Sequence, residues 1–119
     1  MEPLMDFIRY QEEAARTLAR RRLDEYTPAE MMLKLATMGL GVAGEAGEVA
    51  DLIKKYVGHG HDLDDDKLLK EMGDVLWYLA AIATLRGFSL EQVAALNISK
   101  LRARYPEGFS EEASRNRKA

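Results

Sequence analysis

Apolar residues recur every three or four positions along most of the chain, which is the spacing of an amphipathic α-helix. No stretch alternates apolar and polar residues in the manner of a half-buried strand. Breaks in the helical pattern separate four predicted helices, which cover residues 3–24, 28–57, 66–86 and 89–105. The pattern therefore predicts an all-α fold.

Two of these helices begin with a capping sequence. Thr27 is followed by Pro28 at the first helical position and by Glu30 three residues on, and this combination favours a helix start. Ser89 and Gln92 repeat the capping spacing before the fourth helix. We therefore expect the second and fourth helices to begin at well-defined residues.

The third helix carries more apolar surface than a single neighbour can cover. Its second half, residues 75–85, is apolar on nearly every side, and a helix of this kind must be covered on more than one face. The three other predicted helices are too short to cover this apolar surface alone. We expect a bundle of about four helices that is completed by homo-oligomerisation, as a homodimer or a homotetramer.

Length and charge narrow the class of protein. The 119 residues predict one domain, placed at residues 1–109 and followed by a polar tail at 110–119. Twenty acidic and seventeen basic residues give a net charge of -3, which argues against a nucleic-acid polymer as partner. No apolar run reaches the roughly 20 residues that a membrane helix needs. The absence of cysteine and the acidic first residues favour a cytoplasmic location.

The second helix contains an unusual number of glycines. Gly39, Gly41, Gly44 and Gly47 fall within nine residues, and each costs about 1 kcal/mol of helix stability relative to alanine. Either another helix or a ligand approaches closely at these positions, or the helix is kinked or broken there.

Two pairs of carboxylates stand out on the second and third helices. Glu45 and Glu48 are three residues apart, as are Glu71 and Asp74, so each pair shares one helical face beside the apolar stripe. A partly buried carboxylate needs a partner. Oxygen donors without cysteine or a nearby histidine suit a hard cation such as Mg²⁺ or Mn²⁺. The alternative is that both pairs lie on solvated helix faces.

The segments around these acids carry a wider pattern. Residues 44–48 read Gly-Glu-Ala-Gly-Glu, and residues 71–79 read Glu-Met-Gly-Asp-Val-Leu-Trp-Tyr-Leu. A Tyr-Gln pair occupies residues 10–11, and residues 97–106 have the form Asn-x-x-Lys-Leu-x-x-Arg-Tyr-Pro. This combination resembles the MazG-like nucleoside triphosphate pyrophosphohydrolases, whose signature is an E-x-x-E pair followed by E-x-x-D. The resemblance covers most of the chain.

The resemblance implies an all-α enzyme and a reaction. The reaction is the Mg²⁺-dependent hydrolysis of a nucleoside or deoxynucleoside triphosphate to the monophosphate and pyrophosphate, with Mn²⁺ as an alternative ion. Glu45, Glu48, Glu71 and Asp74 match the metal ligands of the family. We expect Glu45 or Glu48 to act as the general base that accepts the proton of the attacking water. Removal of non-standard nucleotides is the expected role, and the preferred base and sugar stay open.

Basic residues are the predicted phosphate contacts. Lys100 and Arg104 are four apart on the fourth helix and share a face with Asn97. The resemblance supports this group as a phosphate-contacting element. Lys54 follows Glu48 by about two helical turns and is a further candidate. The alternative is a solvated basic face near a helix C-terminus, where cations are favoured.

Two further side chains are candidates for contact with the nucleotide. Tyr78 lies one turn after Asp74 on the same face, whereas Trp77 points about 100° away and should pack between helices. Gln11 interrupts an apolar stripe, where a polar side chain needs a partner. The two alternatives for Gln11 are contact with the edge of a nucleobase and a buried structural hydrogen bond.

Two other functions compete with hydrolysis. A non-catalytic regulatory or interaction module that binds metal or nucleotide would be free to lose one of the four acids, and all four are present. A di-iron carboxylate bundle needs Glu-x-x-His motifs on two helices. No histidine follows a helical glutamate at that spacing, so this function ranks last.

Overall fold

The computed structural model describes residues 4–117, and the regular elements in that range are helical. The helices, in chain order, are α1 (Phe7–Ala15), α2 (Pro28–Gly58), α3 (Asp65–Arg86), α4 (Leu90–Arg104) and α5 (Glu111–Arg115). A short 3₁₀ turn, Leu23–Glu25, lies between α1 and α2. The predicted all-α fold is confirmed, and α2, α3 and α4 each begin and end within one residue of the predicted bounds.

The predicted first helix, 3–24, is wrong at its C-terminal end. The helix α1 stops at Ala15. The next three N–H groups, of residues 16–18, bond to carbonyls three residues back instead of four, which tightens the chain into a turn. The indole N–H of Trp77 donates to the Thr17 hydroxyl at 2.9 Å. The turn is therefore tied to α3, and the helix cannot continue along its own axis.

The predicted caps of α2 and α4 are confirmed. The Glu30 N–H donates to the Thr27 hydroxyl at 3.1 Å, and the Thr27 N–H donates to the Glu30 carboxylate at 3.0 Å. Ser89 and Gln92 form the same reciprocal pair, at 3.0 and 2.8 Å. These bonds satisfy N–H groups that a helix start leaves without a partner. The predicted start of the first helix, at Pro3, lies outside the described residues.

The long helix α2 continues without a break through its four glycines. A Cβ atom added at Gly41 would overlap the ring of Tyr78, whereas at the other three positions it would meet nothing within 4 Å. The predicted close approach of another helix therefore explains Gly41, and the predicted break in the helix is wrong.

The helices α2 and α3 pack as an antiparallel pair, α1 lies across α3, and α4 turns away from the end of α3. The buried side chains within residues 4–117 form two small clusters, which together contain Leu18, Met38, Ala80, Ala81, Ala83 and Leu90. Three of these six are alanines in the second half of α3, which α2 covers on one side and α1 on another. The expectation that this half is covered on more than one face is confirmed.

Apolar surface remains exposed on α2 and α4. Leu40 is 74% exposed and Leu96 is 72% exposed. The helix α4 leaves α3 at a bend of 103°. Homo-oligomerisation remains a prediction.

Within residues 4–117, no single helix has the length and apolar content to cross a membrane, and α3 and α4 meet that measure only when they are taken together across their bend.

Candidate metal centre

The antiparallel packing of α2 on α3 brings acidic positions of the two helices together. The ring of Tyr78 lies against Gly41. One turn further along both helices, and in opposite directions along the chain, Glu45 meets Asp74. Because one helical turn takes 3.6 residues, these two contacts define the register of the pair. The same register places the E-x-x-D pair of α3 next to the glutamates of α2.

Three carboxylates converge in this register. One carboxylate oxygen each from Glu45, Glu71 and Asp74 lies within 4.8 Å of the other two. Glu45 and Glu71 are half-buried, and Asp74 is exposed. The cluster is therefore accessible from solvent on the side of Asp74.

The convergence of the acids affects the protonation of Glu45. Partial burial raises the pKa of Glu45 above its ordinary value, and the negative charges of Asp74, Glu71 and Glu48 raise it further. Each of these causes disfavours the charged form of Glu45. A divalent cation would offset the repulsion, because it places positive charge among the carboxylates.

The donor set fits a hard divalent cation. Carboxylate oxygens are the ligands that Mg²⁺ and Mn²⁺ prefer in proteins, and Mg²⁺ usually keeps several waters. Gly44, Gly47 and Gly73 stand beside the acids in the sequence, and a Cβ atom added at any of the three would meet nothing within 4 Å. The backbone beside the acids is thus unobstructed at these three positions. The three clustered acids are the residues that would hold the ion.

Glu48, the fourth predicted ligand, lies outside this cluster. Its side chain is exposed. Its charge nevertheless acts on Glu45 and on Lys55, since it contributes to raising the pKa of both groups. Glu48 therefore borders the cluster one turn along α2, and its role as ligand or general base stays a prediction.

Comparison with known proteins shows the family of the chain. The family model of the MazG nucleotide pyrophosphohydrolase domain matches residues 34–109, a range that includes all four acids. The chain belongs to the MazG family. A similar protein, the Gene 37 protein of Mycobacterium phage L5, is 33% identical over 87 residues, which cover 70% of this chain and 76% of the phage protein. No solved structure matches the chain significantly.

Membership in the MazG family implies a nucleotide substrate and a hydrolase activity of the pyrophosphohydrolase type. The matched range begins inside α2 and ends in the segment after α4. The match therefore includes the carboxylates on α2 and α3 and the predicted phosphate contacts on α4.

One residue near the carboxylates was missing from the predicted site of this MazG chain. Tyr10 on α1 packs against the core cluster around Ala80 and Ala83. Burial raises the pKa of the Tyr10 phenol, and the charge of Asp74 raises it further. The hydroxyl is thus within electrostatic reach of the cluster. The Tyr-Gln pair was the only sequence signal for it, because spacing along the chain does not connect α1 with α3.

Gln11, the neighbour of Tyr10, ties α1 to the corner between α3 and α4. Its amide nitrogen donates to the Thr84 hydroxyl at 3.1 Å and to the Phe88 carbonyl at 2.9 Å. Its amide oxygen accepts a hydrogen bond from the N–H of Leu90 at 2.8 Å. Both N–H donors of the amide are used inside the protein, so the structure favours the structural hydrogen bond over contact with a nucleobase.

The two aromatic residues of α3 pack inside the protomer. Tyr78 lies on Gly41 beside the core cluster around Met38 and remains on the same face as Asp74. Trp77 packs against the same cluster, as predicted, and its ring meets Tyr78 edge-on with 5.0 Å between centroids. Contact between Tyr78 and a nucleotide stays a prediction.

The predicted phosphate contacts lie on two different helices. Lys54 on α2 is exposed and pairs with Asp51 at 3.3 Å. On α4, Asn97 and Lys100 line an open groove of about 530 Å³, and Arg104 is half-buried. The helix α4 packs mainly against α1 and α3, whereas the carboxylates lie between α2 and α3. The roles of these four residues stay predictions.

Proposed function

We propose that this MazG chain is a Mg²⁺-dependent nucleotide pyrophosphohydrolase that converts a nucleoside or deoxynucleoside triphosphate to the monophosphate and pyrophosphate. The observation that supports the proposal best is the convergence of Glu45, Glu71 and Asp74 within the range that matches the family. Mn²⁺ serves as an alternative ion. A cytoplasmic role in the removal of non-standard nucleotides fits this activity.

In this proposal, the clustered acids bind the metal ion and orient it. A triphosphate is strongly anionic, so a purely acidic cluster repels it. Mg²⁺, when bound, supplies positive charge toward the phosphates and lowers the pKa of a bound water. Glu45, Glu71 and Asp74 set the place of that charge between α2 and α3. Glu48 stands outside the cluster, so its carboxylate is available to accept the proton of the attacking water, and Glu45 is the second candidate for this role.

Basic and polar groups of the protein would contact the phosphates. Lys54 lies on the same helix as Glu45 and Glu48. Lys100 and Arg104 lie on α4, whose apolar face is exposed around Leu96. We therefore extend the proposal to a homodimer or homotetramer, in which α4 of one protomer approaches the nucleotide bound by another.

Pyrophosphate release from a panel of standard and modified ribo- and deoxyribonucleoside triphosphates tests the proposal. We expect monophosphate and pyrophosphate in Mg²⁺ and neither product in EDTA. Glu48→Gln should abolish release and leave the helical circular dichroism spectrum unchanged. Lys100→Ala should mainly raise KM, because it removes a phosphate contact. Turnover without a divalent ion, or full turnover in Glu48→Gln, would contradict the proposed site, and nucleotide binding without release would favour the regulatory module.

A further inference from the structure

A second cavity lies where the segment after α1 meets the first turns of α2. Its volume is about 560 Å³, and it is open to solvent. The charged side chains that line it are Arg16, Arg20, Arg21 and Lys34, and the ring of Tyr26 forms part of its wall. No acidic residue of the described chain is among the lining residues. The lining is therefore cationic, opposite in charge to the carboxylate cluster.

Arg21 is held in a defined position on this wall. It donates to the Glu30 carboxylate at 2.9 Å, and its guanidinium carbon lies 4.0 Å from the centroid of the Tyr26 ring. The Thr27 N–H and Arg21 hold the pKa of Glu30 at about 2, so the carboxylate stays charged at neutral pH. A guanidinium carries five N–H donors. Arg21 can therefore bind an anion while the cap of α2 sets its geometry.

Arg20 and Lys34 supply positive charge that the described chain does not neutralise. No ion pair joins either of them to another residue within 4–117. Lys34 is half-buried, and its ammonium nitrogen lies 5.6 Å from the centroid of the Tyr26 ring. Like charges around one cavity repel each other. An anion in the cavity would offset that repulsion, as a cation would among the carboxylates.

The cationic cavity is separate from the carboxylate cluster. Lys34 and Glu45 are eleven residues apart on α2, which places them on the same side of the helix and roughly 16 Å apart along its axis. The buried side chain of Met38 and the contact between Gly41 and Tyr78 fill the interval. A small anion in the cavity would therefore not touch the carboxylates.

We propose that the cavity bounded by Arg16, Arg20, Arg21, Tyr26 and Lys34 is an anion site that binds a phosphate-bearing ligand without a metal ion. Guanidinium and ammonium groups bind phosphate oxygens through short charge-assisted hydrogen bonds. Arg16 and Arg21 also pair with Glu13 and Glu30, at 3.1 and 2.9 Å, so they contribute their remaining N–H donors. Together with the charges of Arg20 and Lys34, these donors suit a ligand with more than one phosphate group. Inorganic pyrophosphate and the phosphates of a nucleotide share this chemistry.

Isothermal titration calorimetry with inorganic pyrophosphate in EDTA tests this site on the full chain. Without divalent cations the carboxylate cluster repels the anion, so the result is independent of the proposed catalytic activity. We expect saturable binding that weakens about tenfold or more in the double variant Arg20→Gln/Lys34→Gln. Arg22→Gln is the matched control, because Arg22 pairs with Asp24 and Glu25 and does not line the cavity. This control should bind as the unmodified protein does.

A nucleoside diphosphate titrated in parallel distinguishes the two sources of phosphate. Tighter binding than that of pyrophosphate assigns the site to a nucleotide, and weaker binding assigns it to the free anion. The absence of saturable binding, or an equal loss in Arg22→Gln, would overturn the proposal. Binding confined to a single-stranded oligonucleotide would also overturn it. If the double variant does not fold, Arg20→Gln alone, at an exposed position, gives the same comparison.

Discussion

Two glutamates of α2 show how the surroundings of a residue separate a structural acid from a candidate functional one. Glu30 accepts hydrogen bonds from Thr27 and Arg21, which lower its pKa to about 2. Glu45 meets other carboxylates, and both burial and their charges raise its pKa. Carboxylates whose charged form is disfavoured are common at functional sites. The contrast supports Glu45, and not Glu30, as a member of the candidate metal centre.

The charge of Glu30 should stabilise the fold in a pH-dependent manner. Because the folded-state pKa lies below the unfolded value, the stabilisation is present above about pH 4.5 and is lost as the pH falls toward about 2. Glu30→Gln keeps a side chain that can cap the helix but removes the charge. Its melting temperature should be lower than that of the unmodified protein at pH 7, and the two should converge near pH 2.

The exposed residue Glu107 offers a control for this prediction. Glu107→Gln should leave the melting temperature nearly unchanged across the same range. A deficit in Glu30→Gln that is equally large at pH 7 and near pH 2 would show that the charge of Glu30 is not its source.

The helices show which features local sequence determines and which it does not. The caps at Thr27 and Ser89 could be predicted, because each involves residues only three positions apart. The end of α1 at Ala15 could not, because the turn that follows is tied to Trp77, about sixty residues further along the chain. The structural hydrogen bonds of Gln11 likewise join three elements that spacing does not connect.

The carboxylate pairs could be predicted for the same local reason, since residues three apart share a helix face. That three of the acids come within 4.8 Å depends on the register between α2 and α3, which no local pattern contains. The contact of Gly41 with the ring of Tyr78 is one of the two contacts that define this register.

Gly41→Ala should therefore destabilise the protein, although alanine favours helix. The added Cβ overlaps the Tyr78 ring, and overpacking of this kind costs about 1–3 kcal/mol. Gly39→Ala is the matched control, because its Cβ meets nothing within 4 Å and the change should stabilise by up to about 1 kcal/mol. Urea unfolding of both variants measures the difference. Equal stabilisation by the two substitutions would contradict the inferred helix contact.

At the scale of the whole molecule, the described protomer leaves large apolar side chains exposed on several helices, α2 and α4 among them. Leu40 on α2 and Leu96 on α4 are both more than 70% exposed, and only six apolar side chains are buried within residues 4–117. Burial of apolar surface is the main favourable contribution to association. The exposed faces therefore support the expected homo-oligomer, in which α4 would lie against a second protomer.

Leu96→Glu should weaken this association by placing a charge on the exposed face of α4. We expect the unmodified protein to sediment as a dimer or tetramer at micromolar concentration and the variant to shift toward the monomer. Ala95→Glu is the matched control, since residue 95 is also exposed but points about 100° away on the same helix. A monomeric unmodified protein would contradict the prediction.

The most direct measurement compares the rate of pyrophosphate release in Mg²⁺ by the unmodified protein and by Glu45→Gln, with the best nucleotide of the panel. Removing one of the three clustered carboxylates should lower the rate by more than about a hundredfold, because the remaining acids hold the ion poorly. Circular dichroism should show that the variant keeps its helical content, and Glu107→Gln should release pyrophosphate at the unmodified rate. A Glu45→Gln variant that retained full Mg²⁺-dependent release would contradict the assignment of the carboxylate cluster as the catalytic metal centre.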